Sequence, residues 1–310
     1  MPTTNSESNA SGQKPSSKKQ KFNPKKFGGL VMLELAVVIL FLVCLGSPLN
    51  SHLVNLLLYH PRSELYIDKE AIKLFKDRYG VELKEARFPS KNGEMLHCWY
   101  MEKPGAERTF LVSHGNAGNL SHRYLVFGTL FEANGSVFIY DYQGYGESNG
   151  EPDDKKIVED GVAAYDFLNK KLKVKSEDIV LYGESLGCAV SSAIANERPV
   201  QAVILQSPFV TLAATAKDKV AWTKIYPDFL FVQNHLDNLS PYLKKHAPLL
   251  LIHGDKDWIL KSDYSREIFA KASEPKEIII IPEHGHNDLY PETSGTVALK
   301  IKEFLAKAGT

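Results

Sequence analysis

Cysteine is scarce: three in 310 residues, at Cys44, Cys98 and Cys188. Three thiols are too few and too scattered for a disulfide framework or a zinc site. Charge of one sign is also missing. Lys and Arg total 37, Asp and Glu total 37, and the formal net charge is zero. That balance leaves no basic footprint for a nucleic-acid partner. No internal repeat is visible. One long apolar run stands out, and it lies near the start of the chain.

Residues 1–27 are rich in Ser, Asn and Lys without apolar periodicity and read as a disordered basic N-terminus. Residues 28–47 read as a transmembrane anchor. Twelve Leu, Ile, Val and Phe residues between Gly28 and Gly46 each favour insertion by roughly 0.3 to 0.6 kcal/mol, against about 3 for a carboxylate at mid-bilayer. Glu34 is the one charge and lies near the end. Lys14, Lys18, Lys19, Lys21, Lys25 and Lys26 precede the run. The positive-inside rule then sets the N-terminus in the cytoplasm and the large domain on the extracytoplasmic side. A cleaved signal peptide is the rival, and the long leader and the lack of a small-x-small site before Ser47 argue against it. Residues 48–69 read as a juxtamembrane linker, in which 49–60 could lie on the membrane surface or extend the anchor.

From 70 to 310, strand patterns alternate with helical ones, which implies a mostly parallel sheet covered on both faces. Runs 83–88 and 95–101 flank the Asn92-Gly93 turn signal and form a hairpin. Further strands fall at Thr109–Ser113, Ser136–Asp141, 178–183, 202–206, 248–252 and 276–281, and a helix at 153–170. Between about 207 and 247 the alternation breaks around Trp222, Ile225, Tyr226, Phe229, Leu230 and Phe231. Two readings stay open: a short lid over the site, or simple packing on the sheet's edge.

The strand at 178–183 ends in Gly183-Glu184-Ser185-Leu186-Gly187. G-x-S-x-G between a strand and a helix is a nucleophile elbow, with Ser185 exposed on a sharp turn. A hydroxyl needs a base, and the base needs an acid that fixes its tautomer. Loops at the carboxyl ends of parallel strands supply both. His286 is preferred over His284 because Gly285 lets the loop turn tightly. Asp257 is preferred over Asp255, whose carboxylate is expected to bond local backbone; Asp288 is expected to cap the following turn. The oxyanion hole would use the N–H groups of Leu186 and Asn116, with Ala117 as a substitute. His114, His253 and Cys188 read as structural. No metal or organic cofactor is required by this chemistry.

With His114-Gly115-Asn116-Ala117-Gly118-Asn119, Asp141-Tyr142-Gln143-Gly144-Tyr145-Gly146, the elbow, His253-Gly254-Asp255-Lys256-Asp257 and Gly285-His286-Asn287-Asp288 in hand, the chain resembles the α/β-hydrolase superfamily. More narrowly it is similar to the membrane-anchored ABHD-type serine hydrolases and their bacterial relatives. The resemblance covers about residues 70–306 and implies an eight-stranded sheet with Ser185, Asp257 and His286 as the triad. Gln143 departs from the arginine usual in that family, which puts local ion pairing in doubt but not catalysis. The cysteine-rich N-terminus of the depalmitoylases is absent, so that role does not carry over.

The function expected is a membrane-anchored serine hydrolase that cleaves carboxyl ester or thioester bonds of acyl or lipid-like substrates. The alternatives are a prolyl-aminopeptidase-like peptidase, for which Asp228 and Asp237 could grip an amino terminus, and a non-catalytic binding protein on the same fold.

Overall fold

The computed structural model describes residues 51–308, apart from 228, 229, 232–234 and 290–293. The predicted disordered stretch 1–27, the predicted anchor at 28–47, Cys44, Asp228 and Phe229 lie outside the described residues. Among the described residues no helix is long and apolar enough to cross a membrane.

Apolar, β-prone runs build the sheet. Its strands are β2 (Glu82–Pro89), β3 (Met95–Glu102), β4 (Arg108–Ser113), β6 (Gly135–Tyr140), β7 (Ile179–Glu184), β8 (Ala202–Gln206), β9 (Leu249–Gly254) and β10 (Lys276–Ile281). Their order across the sheet is β10-β9-β8-β7-β4-β6-β3-β2. β3 runs antiparallel to both neighbours, and the other pairings are parallel. β6, β7, β8 and β9 are buried almost throughout, as strands covered on both faces must be.

One face carries α4 (Asp154–Asp166), α5 (Leu186–Glu197) and α7 (Ser262–Lys271), which pack Ile157, Ala164, Val190, Ile194 and Ile268 on Leu181 and Leu205. The other carries α2 (Lys69–Tyr79), α3 (Tyr124–Glu132) and α8 (Ser294–Ala308), with Phe127, Leu130, Phe131, Ile301 and Phe304 on Val112 and Tyr182. Local signals start and stop these helices. Asp68 accepts from Ala71 N–H at the start of α2, and Gly80, in the left-handed region, ends it. Asp153 caps α4 through Lys156 N–H.

Near the N-terminal end, α1 (Ser51–Leu58) leads into β1 (His60–Pro61), which pairs in parallel with β5 (Ala117–Gly118). This two-residue ladder is not visible in the sequence. The expected linker is thereby held on the domain: His60 N–H donates to Asn116 O at 3.1 Å, Arg62 N–H to Gly118 O at 3.1 Å, and Gly146 N–H to Arg62 O at 2.9 Å.

In the 207–247 segment, α6 (Leu212–Lys219) and a 3₁₀ turn at Ala221–Ile225 precede a second turn at Ser240–Leu243. Its apolar residues divide. Tyr226 and Phe231 are buried, whereas Trp222 and Ile225 are exposed. Burial of Tyr226 and Phe231 and exposure of Trp222 and Ile225 do not decide between the two sequence readings.

Candidate active site

The turn after β7 brings the chain back on itself within one residue. Ser185 sits at φ +53°, ψ −112°, a conformation that costs about 1–3 kcal/mol for a residue with a side chain. The surroundings enforce it. Ser185 N–H donates to Gln206 O at 2.9 Å. A Cβ at Gly187 would lie 1.9 Å from Ser113 O on β4, and one at Gly183 would lie 2.6 Å from Cys188 Cα. Only glycine lets α5 pass this close to the strands. Ser185 itself is half-buried, on the rim rather than in the core. Leu186 is the first residue of α5, so its N–H has no partner within the helix and points with the positive end of the dipole.

The loops after β9 and β10 are neighbours because their strands are. Lys256 N–H donates to His284 O at 2.9 Å, and Glu283 N–H to Asp255 Oδ1 at 2.7 Å. Asp255 thus bonds backbone as expected, but in the adjoining loop. Asp257 meets His286: Nδ1 donates to Oδ2 at 2.6 Å. The imidazole then has Nε2 left for another group. Among the described residues no hydrogen bond joins that nitrogen to Ser185 Oγ. Such contacts often close only when substrate binds. His284 turns away, with Nδ1 donating to Pro282 O at 2.7 Å. Asp288 accepts from Gly285 N–H at 2.5 Å within its own turn, and the following turn, which it was expected to cap, runs into residues outside those described.

Asp257 collects more donors than the sequence suggests. Ile259 N–H and Leu260 N–H reach Oδ1 at 2.9 and 2.8 Å. The buried His253 directs Nε2 at Oδ2 from 3.1 Å and at Leu260 O from 2.9 Å. Both partners are acceptors, so Nε2 carries the proton, and Nδ1 accepts from Ser265 Oγ at 2.7 Å. Burial pushes the Asp257 carboxyl up. The bonds from His253 and His286, the His286 charge and the Leu260 N–H outweigh that and hold it well below the usual carboxylate range. His253 was expected to be structural; its specific task, bracing this carboxylate, is carried by contacts within a single loop that i, i+4 spacing alone does not reveal.

Asn116 lies half-buried on the loop after β4. Its carbonyl accepts from His60 N–H and from Tyr145 Oη at 2.8 Å, and its side-chain amide donates to Leu58 O at 3.0 Å. Arg123 ties the same loop to the elbow: Nε is 2.7 Å from Glu184 Oε2, and Nη2 donates to Ala117 O at 2.8 Å. His114 is buried behind the loop, 3.3 Å from Asp141 Oδ1, as a structural histidine would be.

A strained serine after a buried parallel strand, a histidine–aspartate pair on the last two strand ends and a free helix N-terminus form one pattern on this sheet. Comparisons with known proteins identify the family and the fold. The family profile described as serine aminopeptidase, S33, matches residues 105–241. The Mycobacterium tuberculosis protein Rv2307c is 34% identical over 70% of this chain and 77% of its own. Human alpha/beta hydrolase domain-containing protein 17B is 30% identical over 77% of each chain. The chain belongs to the α/β-hydrolase superfamily. Among solved structures, the Pyrococcus furiosus esterase Pf2001 shares the fold, with a TM-score of 0.65 at 20% identity over 81% of this chain and 97% of that one.

As a serine hydrolase, the chain shows how its departure at Gln143 is accommodated. Gln143 is buried, and its Nε2 and backbone N–H each donate to Asp160 at 2.8 Å. Ser90 Oγ adds a third bond at 2.5 Å, and Asn92 Nδ2 donates to Gln143 Oε1 at 2.9 Å. All of the donors to Asp160 are neutral. Burial therefore dominates, and the Asp160 carboxyl rises to about 6. Cys188 is a buried core thiol, pushed up by burial, with Sγ 3.1 Å from Gln206 O.

Proposed function

We propose that this hydrolase is an esterase acting on carboxyl ester or thioester bonds of acyl or lipid-like substrates, with Ser185 as nucleophile, His286 as base and Asp257 as its orienting acid. The observation that carries this reading is the 2.6 Å bond between Asp257 and His286 Nδ1, which fixes the tautomer that leaves Nε2 as acceptor. His286 takes the hydroxyl proton as Ser185 attacks the acyl carbon. The N–H groups of Leu186 and Asn116 hold the oxyanion. His286 then protonates the leaving group and activates water to release the acid. Asp257, with its proton affinity lowered, stays anionic and stabilises the imidazolium.

Surface features near the site bear on the substrate class. A groove of about 260 Å³ that includes His286 is lined by Trp258 and by the polar Lys256, Glu283, Asn287 and Asp288. Trp258, Trp222 and Ile225 are exposed apolar groups of the kind an acyl chain covers. Anchoring through residues 28–47, with the hydrolase domain on the extracytoplasmic side, is part of the same proposal and rests on the apolar run and the lysines before it. Reporter fusions at the C-terminus would reverse that topology if they were active only in the cytoplasm.

The aminopeptidase description of the family profile favours a second reading, peptide cleavage. Parallel turnover of p-nitrophenyl acyl esters and aminoacyl anilides decides between them. Faster ester turnover, abolished by Ser185→Ala, is expected; faster anilide turnover would overturn the proposal. Labelling by a fluorophosphonate probe, lost in the same variant, is expected as well, and its absence on folded protein would favour a non-catalytic role.

A further inference from the structure

A second group of ligand-type side chains lies on the outer strands and shares no residue with the Ser185 site. Arg87 on β2 pairs with His97 on β3, and Glu85 with Trp99, so Glu85, Arg87 and His97 share one face of the hairpin. Glu147 joins them from the loop after β6. One ligand atom from each of Glu85, His97 and Glu147 lies within 4.8 Å of the others.

His97 distinguishes this cluster from an ordinary patch of surface charge. Its side chain is fully buried, yet neither ring nitrogen has a hydrogen-bond partner. Nε2 is aimed into the cluster, 3.1 Å from Glu85 Oε1. On the other side of the ring Nδ1 is 3.6 Å from Asp141 Oδ2, which is also buried and without a bond. The ring thus lies close to a carboxylate on each side but makes no well-directed hydrogen bond to either, and a buried polar group left in that state calls for a reason.

We propose that Glu85, His97 and Glu147 form a zinc site. His97 Nε2 and one oxygen from each glutamate are the protein ligands, water completes the tetrahedron, and Asp141 receives the proton on His97 Nδ1. Imidazole and carboxylate suit zinc, and a carboxylate behind a zinc-bound histidine fixes its tautomer and raises its basicity. Bonds of about 2.0–2.2 Å put tetrahedral ligand atoms roughly 3.4 Å apart. The Glu85–His97 separation already suits that, and the rest of the set has to contract by at most about 1.4 Å. The scarcity of cysteine does not bear on these ligands.

Arg87 is the competitor. Its Nη2 is 2.6 Å from Glu147 Oε2, and its Nη1 donates to Glu147 O at 2.9 Å. Zinc must draw Glu147 from the guanidinium, so the affinity reports that exchange. Once bound, the ion braces the β2–β3 hairpin against the loop after β6. Through Asp141, which accepts from Leu120 N–H at 2.7 Å, it also steadies the turn that follows the Asn116 loop.

Chelator-treated full-length protein, in detergent, is titrated with zinc chloride by calorimetry, and its thermal midpoint is followed in parallel. One zinc per chain and a raised midpoint are expected. Glu85→Gln and Glu147→Gln, both at solvent-exposed side chains, should each weaken binding by about tenfold or more. Arg87→Gln should tighten it. Cobalt substitution should give the visible spectrum of a tetrahedral site in wild type and lose it in Glu85→Gln. No stoichiometric binding, or binding unchanged in both glutamine variants, overturns the proposal, the latter because zinc would then sit on other histidines.

Discussion

Asp257 and Asp160 are two carboxylates turned away from solvent, on loop and helix positions at opposite parts of the sheet, and they titrate in opposite directions. Both accept several hydrogen bonds. Asp257 takes two from imidazoles and two from backbone N–H groups. Asp160 takes its bonds from the Ser90 hydroxyl and from Gln143, none of them charged, and the neighbouring Glu159 raises it further. Neutral donors do not offset the loss of water around an anion; donors that can share positive charge do. The same chemical group is thus held firmly as an anion in one place and left to titrate near pH 6 in the other.

The sharpest way to break the comparison is through turnover. Ser185→Ala and His286→Ala are each expected to lower kcat by a factor on the order of 10^4 to 10^6, with the double variant little worse than either single one. A double variant that loses the product of both factors would mean that the two residues do not act as a unit. Asp257→Asn should cost on the order of 10^4, because an amide no longer selects the productive tautomer. Asp160→Asn and Asp255→Asn should leave kcat within a few-fold; a large loss at either position would show that the wrong carboxylate has been paired with His286. His253→Leu should lower kcat by about 10- to 100-fold, since small misplacements of a positioned group carry costs of that size. Rescue by His253→Gln, whose amide nitrogen can donate to Oδ2 from the place of the ring Nε2, would tie that loss to orientation.

The smallest effect is on stability against pH. Asp160 has a folded value of about 6 against an ordinary 3.8. Its contribution is fully present below about 3.8 and is lost as pH rises through 6, a swing of roughly 3 kcal/mol at most. Asp257 works in the other sense. Its contribution is present above the ordinary carboxylate value and is lost only as pH falls through its lowered one. Gln143→Arg should pair Asp160 and flatten the decline between pH 4 and 6, as read from urea midpoints, with kcat nearly unchanged. A decline as steep as in wild type would mean that Asp160 is not its source.

Much of this arrangement is legible from residue pattern. β7, β8 and β9 are runs of apolar residues because both of their faces are covered, and hydropathy records that directly. Ser185 is announced by two glycines whose missing side chains leave room for Ser113 and Cys188. His286 and Asp257 follow strand ends, where loop residues collect. Three things are not legible. The β1–β5 ladder joins two residues to two others more than fifty positions away, too short to leave a periodic trace. The role of His253 depends on which way a buried ring faces. The bond between Gln143 and Asp160 is a tertiary contact whose partners carry no spacing rule. The 207–247 segment stays ambiguous in sequence because some of its aromatics are covered and others are not, so no single period describes it.

The short ladder between His60–Pro61 and Ala117–Gly118 bears on how this enzyme can be handled. A shortened form that starts at residue 70, where the alternating pattern begins, would strip one rail from the loop that carries Asn116 and leave its carbonyl and that of Gly118 each short of a backbone donor. Trimming should stop ahead of Ser51, so that the entering strand stays with the body it buttresses.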